Sequence, residues 1–71
     1  MNEGTAIDAA SEIGVTVTTD RRTPRGVSFK VGEHILFRAK EARRWNIDGG
    51  STTYRRGDAI KLALQLILSA A

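Results

Sequence analysis

Seventy-one residues suffice for one small domain, and with no cysteine the chain can be stapled neither by disulfides nor by a thiolate metal site. No apolar run approaches the roughly 20 residues that span a bilayer, and the acidic start lacks the apolar region of a secretory signal, so a cytoplasmic protein is expected. The net charge of +3 is unevenly spread, residues 1–20 carrying −4 and residues 21–71 carrying +7, which suits a nucleic-acid ligand or, more plainly, a solvated surface.

Residues 1–13 are small and polar around Ile7 and Ile13, and are expected to be disordered or a frayed helix. The following "GVTVTT" alternates well enough to form a strand, and "DRRTPRG", with the single proline and three arginines, reads as a flexible basic arm or a loop. From Gly26 to Val31 alternation is strict. Val27, Phe29 and Val31 share one face and Gly26, Ser28 and Lys30 the other, which predicts a short half-buried strand.

The period then changes. In "GEHILFRAKEARRWNIDGG" the residues Ile35, Ala39, Ala42 and Trp45 fall at spacings of four, three and three with Leu36 beside them, which predicts an amphipathic helix of about 13 to 15 residues. Glu33 suits its first turn, Arg43 and Arg44 its last, and Gly49–Gly50 ends it. A second helix is expected from Thr53 or Tyr54 to the C-terminus. From Ile60 to Leu68 it is apolar except at Lys61 and Gln65, so most of its circumference needs covering. A chain of this size has little else to cover it with, and a homodimer is therefore expected, the lone strand pairing with its copy across a two-fold axis.

The order of strand, helix, glycine turn and helix resembles the ribbon-helix-helix (MetJ/Arc-type) family of DNA-binding dimers, through "VSFKV", "GEHILFRAKEARRW" and "YRRGDAIKLALQLIL". The resemblance implies a mainly α fold with a short β-strand: an intertwined homodimer with an intermolecular two-stranded antiparallel ribbon over residues 26–71, behind a flexible arm of residues 1–25. It also implies that Gly26, Ser28 and Lys30 meet base edges in the major groove of double-stranded DNA. A backbone phosphate would sit at the start of the second helix on Thr53, Tyr54, Arg55 and Arg56. Dimers of this family with a long arm resemble plasmid partition centromere-binding proteins of the ParG/ParB kind. There Arg21, Arg22 and Arg25 would engage DNA or a ParA-type ATPase. A transcriptional repressor and an antitoxin paired with a toxin share the same core.

No catalytic residue, metal ligand set or cofactor is expected. His34 is the single histidine and lacks a nucleophile or carboxylate constellation in sequence; Trp45 and Phe29 fit core packing; Gly49–Gly50 lacks the Lys-Ser/Thr of a phosphate loop; and Asp48 and Asp58 form no acid–base pair. A rival from another class is a protein-binding inhibitor, in which "GVTVTT" and "GVSFKV" form an intramolecular hairpin around "DRRTPR" with the helices packed on its face. Its mark would be residues 14–19 paired with residues 26–31 of the same chain.

Overall fold

The structure, a computed structural model, describes residues 2–70; residues 1 and 71, the outer ends of the two expected units, lie outside it. Helix α1 (Glu3–Glu12) opens the chain, capped by the Asn2 side chain, which accepts a 2.8 Å hydrogen bond from the Thr5 amide. Four strands follow: β1 (Arg21–Thr23), β2 (Gly26–Val31), β3 (His34–Ala39) and β4 (Asn46–Ile47), and helix α2 (Arg56–Ala70) closes the fold. The strands form one antiparallel sheet in chain order.

Tight turns set that order. Pro24 and Arg25 join β1 to β2 beyond the Thr23–Gly26 pair, with proline's fixed φ suiting a turn. Gly32 and Glu33 join β2 to β3 beyond the Val31–His34 pair, Gly32 taking the left-handed φ of 60° that a two-residue hairpin turn needs. Past β4, Asp48 and Gly49 adopt φ values of 52° and 76°, and the chain returns so that Trp45 and Tyr54 exchange two 2.8 Å backbone hydrogen bonds.

The mainly α ribbon-helix-helix fold is therefore corrected. Residues 34–39, expected as the first helix, are strand β3, and β2 is flanked on both sides by strands of its own chain, β1 and β3. With both edges of β2 already paired, no ribbon with a second copy can form on it. The second helix begins at Arg56, two or three residues later than expected. The segment expected as an arm supplies α1 and β1, and Ala6 and Ala10 of α1 are fully buried. Before β1, Val17 bridges to Val31 and Thr18 and Lys30 are joined through their backbones, so the intrachain hairpin of residues 14–19 with 26–31 is present over part of that span.

The core lies between the inner sheet face and the helices. Val27, Phe29 and Val31 of β2 and Leu36 of β3 point inward and meet Ile60, Ala63 and Leu64 of α2, while Ala6 and Ala10 pack α1 closely beside α2. Much of the covering that α2 requires thus comes from within the chain, although Leu66 and Leu68 stay exposed. Trp45 closes one side of this core, edge-on to Phe29 with ring centroids 5.0 Å apart.

Candidate nucleic-acid interface

In an antiparallel sheet, directly opposed residues share a face, so the register identifies what the outer face presents. Ser28 of β2 lies between Arg21 of β1 and Phe37 of β3, Lys30 stands opposite Ile35, and Phe37 stands opposite Asn46 of β4. Thr18 lies beside Lys30: its hydroxyl oxygen accepts the Lys30 amide at 2.8 Å and its own amide donates to the Lys30 carbonyl at 2.9 Å. The Asp48 carboxylate stands at the β4 edge of this face, against the Ile35 amide, and among the described residues no helix covers the face. Arg21, Lys30 and Ile35 are exposed and line, with Ser28, Thr18 and Thr19, an open depression of about 360 Å³.

An irregularity in the first hairpin brings Arg21 to this face. Val17 pairs with Val31 and Arg21 with Ser28, so four residues on one strand span three on the other, a β-bulge between Thr18 and Asp20. Across the bulge Thr18 and Arg21 both face outward, and Asp20 swings inward to Arg56.

A second cluster of cations lies at one end of the sheet. The Arg25 carbonyl, in the β1–β2 turn, accepts a 3.0 Å hydrogen bond from the Lys40 amide, which brings the β3–β4 loop with Lys40, Arg43 and Arg44 alongside that turn. All four side chains are exposed, and Glu41 is the one acid in that loop. The far end differs in character: Glu33 sits in the β2–β3 turn, and His34 Nδ1 lies 2.7 Å from Asp48 Oδ2. Asp48 also accepts the Ile35 amide at 2.8 Å, and these two hydrogen bonds, His34's first, hold its carboxyl below the usual carboxylate range.

Of the residues expected at base edges, Ser28 and Lys30 lie on the outer face. Gly26 serves the sheet instead: at its φ of 153°, a Cβ would stand 2.1 Å from the Arg38 carbonyl oxygen, so glycine is what lets β2 and β3 close up there. Arg21, expected on a mobile arm, sits in β1 beside Ser28, whereas Arg22 pairs opposite Val27, and Arg25 belongs to the turn.

Thr53, Tyr54, Arg55 and Arg56 do not converge on a phosphate site. Thr53 and Arg55 are exposed and Tyr54 is tied to Trp45, but Arg56 is turned inward. Its guanidinium lies over the Phe29 ring (4.2 Å) and the Trp45 ring (4.8 Å), forks onto Asp20 at 2.6 and 3.2 Å, and places Nε 2.6 Å from Glu3 Oε1. The Arg56 hydrogen bonds hold the Asp20 carboxyl below its usual range. Both acids come from the first 20 residues, so Arg56 ties the N-terminal segment to the core.

Ile35 and Phe37 on the outer face and Lys40 at the sheet end escape the sequence pattern, because the spacing around them reads as a helix. The available signal was turn chemistry, Gly32–Glu33 before this segment and Asp48–Gly49 after it. No protein family, curated protein or solved structure matches this chain.

Proposed function

We propose that this chain binds double-stranded DNA by laying the outer face of its sheet in the major groove. The observation that carries this reading is the uncovered face itself, on which Arg21, Ser28 and Lys30 stand together. Strands lie about 4.8 Å apart, and adjacent β2 and β3, which carry Ser28, Lys30, Ile35 and Phe37, form a two-stranded ribbon of the kind the major groove admits. Lys30 can donate to guanine O6 and N7 or to adenine N7 and thymine O4, Ser28 can pair with several base edges, and Arg25, Lys40, Arg43 and Arg44 at the sheet end suit the flanking phosphates.

The partition, repressor and antitoxin roles drew on a ribbon-helix-helix fold that the sheet replaces, and the geometry favours none of them over the others. The intrachain pairing of residues 16–18 with 30–32 favours a second reading, the small protein-binding inhibitor, whose cationic face would meet an acidic protein surface.

Fluorescence anisotropy with a labelled mixed-sequence duplex, from low to moderate salt, separates the two. DNA binding predicts affinity that falls steeply with salt, and an Arg43→Ala/Arg44→Ala variant whose log–log salt slope is smaller by about 2. Absence of binding at low salt would reject the DNA reading and direct attention to a protein partner.

A further inference from the structure

The outer face repeats one kind of pairing. Lys30 stands directly opposite Ile35, and Ser28 directly opposite Phe37, so each cross-strand pair sets a hydrogen-bonding side chain about 5 Å from an apolar one. Ile35 is 46% exposed, Phe37 is half-buried, and no second layer lies over either. The major-groove edge of an A·T pair has the matching composition: hydrogen-bonding atoms of adenine and thymine O4 beside the thymine C5 methyl, which a G·C pair lacks. Same-face residues on a strand are about 6.7 Å apart, close to two base-pair rises of about 3.4 Å. The two pairs therefore match base pairs two steps apart when the strands follow the groove.

We infer that the site takes thymine-containing duplex DNA, with Ile35 and Phe37 contacting thymine methyl groups and Lys30 and Ser28 bonding the adjacent base edges. This rests on the DNA reading above and adds to it the chemistry of the target. Arg21, on the other side of Ser28, is left for a neighbouring guanine or a phosphate.

The test uses the full chain and the tightest duplexes recovered from a random pool, each compared with a copy in which every thymine is replaced by deoxyuridine. That exchange removes the methyl groups and keeps every hydrogen-bonding atom. Burying one methyl changes affinity about fourfold, so loss of two predicts binding weakened about fifteenfold. Ile35→Ala, folded as judged by unchanged Trp45 fluorescence, should reduce the thymine-to-deoxyuridine ratio to about fourfold. Equal, salt-sensitive affinity for both duplexes would overturn the methyl contact and leave DNA binding standing, as would an Ile35→Ala variant with an unchanged ratio. Failure to bind any duplex at low salt would overturn both.

Discussion

Removal of the Arg56 guanidinium tests whether that side chain holds the fold together or waits for a ligand. Its charge meets Asp20 and Glu3, whose side chains are 34% and 46% exposed, while its own is 26% exposed. Solvent screens such pairs, so each contributes about 0.5 to 1 kcal/mol. The stacking over Phe29 and Trp45, at 4.2 and 4.8 Å, adds about 0.5 to 1 kcal/mol per ring. Arg56→Ala should therefore cost about 2 to 4 kcal/mol. That is a large share of the roughly 4 to 10 kcal/mol expected of a domain this size, and corresponds to a Tm lower by about 10 °C or more. Urea unfolding followed by the fluorescence of Trp45, the single tryptophan, measures it directly. Arg56→Lys keeps the charge but loses the planar fork, and should fall in between. Neighbouring Arg55, exposed, should tolerate alanine within about 0.5 kcal/mol. If Arg56→Ala and Arg55→Ala were equally harmless, the inward hub would be refuted and the pair would again be candidates for a phosphate.

Gly26→Ala should abolish folding or lower stability by more than about 3 kcal/mol, since its Cβ would collide with the Arg38 backbone 2.1 Å away; a native circular dichroism spectrum and an unchanged urea midpoint would contradict this. Asp20 and Asp48 are both held below the usual carboxylate range when folded, so the unfolded chain binds more protons as the solution is acidified. Their contribution should be intact above about pH 5 and be lost as the pH falls through about 4 and below. A urea midpoint as high at pH 3 as at pH 7 would exclude it, and Asp20→Asn and Asp48→Asn should each narrow the difference. Replacing Arg25, Lys40, Arg43 and Arg44 with alanine should weaken all duplexes alike by filter binding; a change in sequence preference would move these residues from the phosphates to the bases.

The part of the fold that could be read from sequence is the part where one face is apolar and the other polar. Val27, Phe29 and Val31 alternate with Ser28 and Lys30, and β2 lies where that pattern puts it. Residues 34–39 broke the rule because both faces of β3 carry apolar groups, Leu36 toward the core and Ile35 and Phe37 on the uncovered side. A strand that is apolar on both faces lacks a period of two, and the chance spacing of Ile35, Ala39, Ala42 and Trp45 then imitated a helix. Turn chemistry pointed the other way: Gly32–Glu33 and Asp48–Gly49 are the residues that two-residue turns favour. Once β3 is a strand, β2 has its partner within the chain and the intermolecular ribbon loses its reason.

The candidate site was legible in composition but divided wrongly. Alternation puts Ser28 and Lys30 on one face of β2, the family resemblance alone makes that face the DNA-facing one, and both residues lie on the uncovered face. Arg21 stands apart from them in the sequence because "DRRTPRG" reads as an arm or a loop, and the bulge at residues 18–20, which turns it outward and Asp20 inward, leaves no mark in periodicity. Arg56 was misplaced for a related reason. Its partners, Glu3 and Asp20, are distant in sequence and meet it only after α1 and the first hairpin have packed.

Whether the outer sheet face binds duplex DNA is tested most directly by amide chemical-shift mapping during titration with a duplex at low salt. The expected outcome is that the largest shifts fall on Thr18, Arg21, Ser28, Lys30, Ile35 and Phe37, and that the amides of buried helical residues such as Ala10, Ala63 and Leu64 stay in place. Shifts confined to the helices, or a spectrum that the duplex leaves unchanged, would contradict the assignment of this face to DNA.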